Sequence, residues 1–203
     1  MTDLFSAETL ITSFVSALSL MAVWIPFYRG LKLATRARAA TRRVPKSQLE
    51  AARQGAGGEV DSFSVLMTRV LHKSLAESQG HPSEFVLDAT RQYVQNEYDS
   101  NYARLISMYA NLLPPIGFIG TTTGMLILFF SMHASAESLE LGALALALTS
   151  SIFALIGFAV LEAIKIRLYG RLLVCLDDAA MLGRGAAAAR PVQRRRTPAP
   201  AAG

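Results

Sequence analysis

The chain has few of the residues on which most enzymes and metal proteins depend. Its only cysteine, Cys175, excludes an internal disulfide and a cysteine-rich metal site. The three histidines, His72, His81 and His133, are scattered without the close spacing of metal ligands. No glycine-rich dinucleotide loop, Walker A loop or nucleophile elbow is present. We therefore expect no enzyme activity, no cofactor and no bound metal.

Charge is also scarce, and its distribution is uneven. Only 17% of the residues are charged and 52% are hydrophobic, which is typical of a membrane protein with a modest soluble part. All 20 Lys and Arg residues fall in 29–104 and 165–196, and none falls in 1–28 or 105–164. The residue ranges 10–27, 112–132 and 141–161 are apolar runs without charge. A helix of such a length spans the roughly 30 Å hydrocarbon core of a bilayer.

The sequence therefore predicts an all-α integral membrane protein with three transmembrane helices and long cytoplasmic helical extensions. Basic residues favour the cytoplasmic side of a membrane, which places the N-terminus in the periplasm and the C-terminus in the cytoplasm. A cleaved signal peptide is disfavoured because the N-terminal run is preceded by Asp3 and Glu8 rather than by basic residues.

Five segments follow from this topology. The N-terminus and first span occupy 1–28, and 29–111 forms a cytoplasmic helical region that runs without a clear stop into the next span. The second and third spans occupy 112–164, a cytoplasmic helix 165–182, and a disordered basic tail 183–203. Within the cytoplasmic region, 47–60 is predicted to be a flexible break.

A basic cluster follows the first span directly and has two interpretations. Its members could contact nucleic acid or the anionic headgroups of lipids. The position beside a span favours lipid, so we expect no nucleic-acid partner. The cluster consists of Arg29, Lys32, Arg36, Arg38, Arg42, Arg43 and Lys46.

The second span carries a strip of small and hydroxyl-bearing residues. After Pro114, residues Gly117, Gly120, Thr121 and Gly124 recur at the spacing of one helical face. Such a strip allows another helix to pack closely, and it could equally form the polar wall of an ion path. The third span has Thr149, Ser150 and Ser151 near its middle. Because the two spans are antiparallel neighbours, we expect their hydroxyl groups to meet.

Neither of these two spans contains a Lys, Arg or carboxylate in its interior. A proton relay in a membrane normally requires a titratable group, and a threonine cannot hold a proton near neutral pH. If the protein moves protons, the titrating residue must therefore come from another chain. A structural membrane scaffold that uses the same strips only for assembly is the alternative.

Pro114, residues 116–121 and Gly124 resemble the P-L-L-G-L-L-G-T-x-x-G signature of the MotA/TolQ/ExbB proton-channel family, and residues 147–149 resemble the A-T segment of its third span. Three spans rather than four make the chain similar to the TolQ/ExbB branch. The third span departs from the family pattern at Ser150, Ser151 and Gly157, and it has Leu144 where some members carry a glutamate.

The resemblance implies an inner-membrane subunit of a motor driven by the proton-motive force. It further implies a homo-pentameric ring around two copies of a single-span partner, similar to ExbD or TolR, that supplies an intramembrane aspartate. On this basis Thr121 and Thr149, with neighbouring Thr122 and Ser150, are expected to line the proton path. The residues expected to serve helix packing are Gly117, Gly120, Gly124 and Pro114.

Overall fold

A computed structural model describes residues 7–54, 62–77, 82–134 and 137–188. In these ranges the chain is helical apart from short links, and no strand occurs. The predicted all-α class is therefore confirmed. The helices are α1 (Ala7–Ala40), α2 (Lys46–Arg53), α3 (Phe63–Glu77), α4 (Ser83–Tyr98), a π-helical turn (Asp99–Ala103), α5 (Arg104–Ala134) and α6 (Glu137–Ala188).

Three helical stretches are long and apolar enough to cross a membrane, as the sequence predicted: Ser13–Ala40, Ser83–Met132 and Glu140–Leu182. The chain is thus a multi-pass membrane protein by length and composition. The stretches are longer than the charge-free runs, because the helices continue into the charged residues on either side. α1 continues through most of the basic cluster to Ala40 rather than ending near residue 28.

Two prolines lie inside α5 rather than at its beginning. The helical residues continue without interruption from Ser83 to Ala134, so Pro114 and Pro115 stand well within the helix. A proline removes one backbone donor from the helix ladder, and membrane helices tolerate this loss when neighbouring groups satisfy the released carbonyl. The predicted continuation of the cytoplasmic helix into the second span is what the structure shows.

The chain divides into two compact units, of which the first comprises residues 1–42 and 95–173. Here α1, α5 and the first part of α6 enclose an apolar cluster. Fully buried Tyr98 packs beside Tyr102 and Tyr169, with ring centroids 5.9 and 6.5 Å away. The apolar cluster consists of Val23, Ala110, Leu113, Ala154 and Leu161, with Phe27, Ile116 and Phe158 packed against it.

The second unit comprises residues 43–94 and 174–203. Its small core joins α2, α3 and the end of α6 through Leu49, Ala52 and Val65, with Val44 and Leu182 alongside. Three ion pairs add to these contacts: Arg91–Asp177 at 2.9 Å, Arg184–Glu84 at 3.3 Å and Arg43–Asp178 at 3.5 Å.

Two details differ from the sequence-based expectation. α2 occupies part of the range 47–60 that was expected to be a flexible break, because Leu49 and Ala52, three residues apart on one helical face, find an apolar partner in α3. α6 continues to Ala188 rather than ending near residue 182, and its last three residues are alanine, the best helix former. Residues 55–61, which include Gly55, Gly57 and Gly58, and the remainder of the tail lie outside the described residues.

Candidate functional site

The candidate site is the contact between α5 and α6 in the first unit, where the two helices come together through small residues. A Cβ atom built on Gly117 would lie 2.6 Å from the Cβ of Ala154. One built on Gly124 would lie 2.7 Å from the carbonyl oxygen of Ala143 and 2.9 Å from the amide nitrogen of Ala147. These distances are too short for real atoms, so only glycine permits the observed approach of the two backbones. We call this contact the α5–α6 seam.

Gly120, in the middle of the seam, is also where α1 comes closest. A Cβ atom on Gly120 would overlap the side chain of Ser150, whose Cβ would be 2.6 Å away, and would lie 2.9 Å from the Oγ of Ser19 on α1. Three helices therefore meet at one glycine. The structure places Gly117, Gly120 and Gly124 where helix packing was expected to use them, and Pro114 lies half-buried one turn away in α5.

Hydroxyl groups and carbonyls fill the seam. The Oγ1 of Thr121 donates to the carbonyl of Gly117 at 3.0 Å or to that of Ala147, across the seam, at 3.2 Å. It also contacts the Oγ of Ser151. The Oγ of Ser150 lies 3.3 Å from the carbonyls of both Gly117 and Ala147, and that of Ser151 lies 3.4 Å from the carbonyl of Gly117.

A hydroxyl has one proton to donate but two lone pairs to accept, so these bonds cannot all form at once. The three hydroxyl protons of Thr121, Ser150 and Ser151 are shared between two carbonyls and the Thr121–Ser151 contact. Several hydrogen-bond arrangements therefore satisfy every hydroxyl inside the protomer. The seam is polar, uncharged and free of groups that exchange protons near neutral pH.

The other two residues expected to line a proton path lie elsewhere. Thr149 is exposed, and its Oγ1 donates back to the carbonyl of Ala145 at 2.6 Å. Thr122 is exposed as well, and its Oγ1 donates to the carbonyl of Ile119 at 2.9 Å. Thr121 thus meets Ser151 rather than Thr149 within one protomer. A cavity shared by Thr121 and Thr149 would require other chains and stays a prediction.

The sequence-based reasoning included Ser151 among the hydroxyls expected to meet the second span but did not single out Ser151 or Ala147 as the partners of Thr121, although both make its cross-helix contacts. The sequence does contain a pattern that indicates this contact. Ala143, Ala147, Ser150 and Ala154 repeat at i, i+4, i+7 and i+11, which forms a small-residue face on α6 opposite the glycine strip of α5.

A second polar cluster joins α5 to α6 beyond the apolar run of the third span. The Nζ of Lys165 donates to the Oγ of Ser107 at 2.9 Å and to the Oε1 of Glu162 at 2.7 Å. The side chains of Lys165 and Glu162 are 27% and 26% exposed. Charged groups this far from bulk water require partners, and here each charge neutralises the other. Across the described ranges, no three His, Cys, Asp or Glu side chains come together as metal ligands.

Comparison with protein families gives a match that covers the seam. The sequence profile of the MotA/TolQ/ExbB proton channel family matches residues 63–168, just over half of the 203-residue chain. The matched range includes every residue of the α5–α6 seam, together with Lys165 and its partners. No curated protein and no solved structure matches the chain. With this match over more than half its length, the chain belongs to the MotA/TolQ/ExbB proton channel family.

Proposed function

We propose that the chain is an inner-membrane subunit of a TolQ/ExbB-like complex that converts the proton-motive force into movement or force. Five copies form a ring around a single-span partner similar to ExbD or TolR, and this partner supplies an aspartate within the membrane. The family membership supports the general role. The described residues contain three candidate spans rather than four, which supports the branch.

The observation that carries the proposal is the chemistry of the α5–α6 seam. Its hydroxyls and carbonyls can orient a proton or a carboxylic acid, but none of them can store a proton at neutral pH. The spans 112–132 and 141–161 contain no side chain that titrates near neutral pH. An aspartate must therefore enter from a partner if protons are to cross.

The geometry supports different roles for Thr121 and Thr149. Thr121 uses its hydroxyl inside the protomer, where it joins α5 to Ala147 and Ser151 of α6. Thr149 uses its only proton on its own helix and points its two lone pairs outward, because its side chain is exposed. In the proposed ring, Thr149 accepts a hydrogen bond from the protonated aspartic acid of the partner, while Thr121 holds the helix pair in register.

A non-conducting membrane scaffold is the second candidate, and one observation favours it. The hydroxyls of Thr121, Ser150 and Ser151 all find partners within one protomer, as in a seam built only for packing. A scaffold would need Thr121 but would have no use for the hydroxyl of Thr149.

The two candidates are separated by Thr149→Val, compared with Thr149→Ser as a matched control that keeps the hydroxyl. The tagged chain is purified with the single-span protein that accompanies it and reconstituted into liposomes, and proton flux is measured with a trapped pH-sensitive dye. A hydrogen bond between two neutral groups contributes roughly 0.5–1.5 kcal/mol. We therefore expect Thr149→Val to assemble normally and to lower proton flux about two- to tenfold, whereas Thr149→Ser retains most of it.

The partner provides the second control, since replacing its intramembrane aspartate with asparagine should abolish the flux through the wild-type chain. Full flux in Thr149→Val at normal assembly would remove Thr149 from the path. Absence of any flux in the wild-type complex, together with intact assembly, would favour the scaffold. Thr121→Val is less informative here, because it also weakens the α5–α6 seam.

A further inference from the structure

One surface of α1 combines exposed aromatic and basic side chains and is used neither by the seam nor by the proposed proton path. Trp24, Tyr28 and Lys32 follow one another at four-residue spacing, and Arg29 and Arg36 lie next to them on the helix. Trp24 is 62% exposed and Tyr28 54% exposed, and the three basic residues are exposed too. We call these five residues the aromatic–basic face of α1.

The opposite face of α1 is fixed in the first unit. Val23, Ala34 and Ala37 are buried, and a Cβ on Gly30 would lie 2.8 Å from Leu161 of α6. α1 therefore cannot rotate to bury its aromatic–basic face without losing these contacts. The face points away from the helices of its own protomer.

The basic residues of this face form no ion pair within the described part of the chain. α1 contains no Asp or Glu from residue 9 to its end, and the ion pairs among the described residues involve none of Arg29, Lys32 and Arg36. Glu162 on α6 is bonded to Lys165. Three adjacent cationic groups thus remain available for an anion.

The residues that precede this face indicate that the anion belongs to a lipid. Leu18, Met21 and Ile25 are 59%, 62% and 50% exposed, so apolar surface leads directly to the aromatic rings and then to the cations. Tryptophan and tyrosine favour the boundary between hydrocarbon and headgroups, and basic residues favour the anionic headgroups beyond it. Lys32 is seven residues past Ile25, which is about 10 Å along the helix. This distance is similar to the distance between the acyl chains and the phosphate of a phospholipid.

We propose that the aromatic–basic face of α1 binds an anionic phospholipid, with the phosphate against Arg29, Lys32 and Arg36 and an acyl chain along Ile25, Met21 and Leu18. The Trp24 and Tyr28 rings lie at the level of the ester groups between them. This inference needs α1 to cross the membrane but does not depend on proton conduction, so the two proposals fail independently.

Trp24 is the only tryptophan of the chain, and it lies on the proposed site, so its fluorescence reports lipid contact directly. The full chain is reconstituted into phosphatidylcholine vesicles that contain a small mole fraction of lipid brominated on its acyl chains. The brominated lipid is either phosphatidylglycerol or phosphatidylcholine, and bromine quenches tryptophan only on contact. We expect brominated phosphatidylglycerol to be enriched around Trp24, relative to brominated phosphatidylcholine, roughly fivefold or more. About fivefold is the attraction that one basic residue near an anionic surface provides.

A triple variant, R29Q/K32Q/R36Q, should lower this enrichment to that of random mixing. The matched control is R104Q/R167Q/R171Q, which removes the same charge from exposed positions at the beginning of α5 and in the second half of α6. It should leave the Trp24 quenching unchanged. An equal loss in both variants would show a general charge effect and would overturn the site, as would equal quenching of the wild type by the two brominated lipids.

Two further measurements cover the case in which the triple variant does not fold. R29K/R36K keeps the charge and should keep the enrichment. In the wild type, added salt should reduce the quenching by phosphatidylglycerol but not that by phosphatidylcholine, because ions screen the attraction between exposed charges. Enrichment that salt leaves unchanged would contradict a headgroup site. Displacement of the brominated phosphatidylglycerol by added RNA at low salt would instead assign the face to nucleic acid.

Discussion

The α5–α6 seam can be tested with the smallest possible change, the addition of one methyl group at Gly124. In the native structure, a Cβ there would lie 2.7 Å from the Ala143 carbonyl oxygen, 2.7 Å from the Ala147 Cβ and 2.9 Å from the Ala147 amide nitrogen. Two of these three atoms belong to the α6 backbone, which cannot move aside by a side-chain rotation. Gly124→Ala must therefore push α5 and α6 apart.

The chain offers a matched control for the same substitution. At Gly170, on α6, a Cβ would have no neighbour within 4 Å. Gly170→Ala should therefore show only the gain in helix propensity, which is up to about 1 kcal/mol. Overpacking of a well-filled contact costs about 1–3 kcal/mol. Because Gly124→Ala gains the same helix propensity, the two variants should differ in the free energy of unfolding by the overpacking cost alone, roughly 1–3 kcal/mol, with Gly170→Ala the more stable.

Thermal unfolding in mild detergent, followed by circular dichroism at a helix wavelength, measures this difference. For chains of this size, 1 kcal/mol shifts Tm by about 2–4 °C. The midpoint of Gly124→Ala should then lie below that of Gly170→Ala by roughly 2–12 °C. If Gly124→Ala melted at or above the temperature of Gly170→Ala, the close approach of the two helices would be refuted, and the role of the glycine strip with it.

Two other predictions concern the membrane topology and the second polar cluster. The topology is tested in a Cys175→Ala background with single cysteines introduced at position 136 or at position 39, whose native alanine is exposed on α1. A membrane-impermeant maleimide added to intact cells should modify the cysteine at 136 but not the one at 39. Modification at 39 would show that the orientation is reversed. A double-mutant cycle with Lys165→Met and Ser107→Ala should give a coupling energy of about 1 kcal/mol in the same unfolding assay, because the 2.9 Å hydrogen bond between them is lost in either variant; additive effects would show that the bond does not contribute to stability.

The number and type of the helices could be predicted because each depends on local composition. The charge-free runs became three helices that can cross a membrane. Gly80 and Pro82 stand in the sequence between α3, which ends at Glu77, and α4, which begins at Ser83. Proline before a helix and glycine after one act through their own backbone, so no distant contact is needed to identify them.

The short helix α2 was not predicted, because it depends on a contact that the local sequence does not show. Its eight residues are marginal as an isolated helix, and the glycines beyond it indicated a break. Leu49 and Ala52 are buried against Val65, far along the chain, and this packing stabilises the helix. A contact between distant segments of the chain cannot be seen in the local pattern of either segment.

By itself, the sequence determined that the chain crosses a membrane, how many helices do so, and which family signature the second span carries. These properties follow from the cost of charge in hydrocarbon and from residue types at fixed spacing. Only the tertiary structure decided that Thr121 meets Ser151 and Ala147, whereas Thr149 lies exposed. One residue along a helix turns a side chain by about 100°, so the partner of each hydroxyl depends on the relative rotation and register of α5 and α6. That rotation is set by the packing of Gly117, Gly120 and Gly124 against α6.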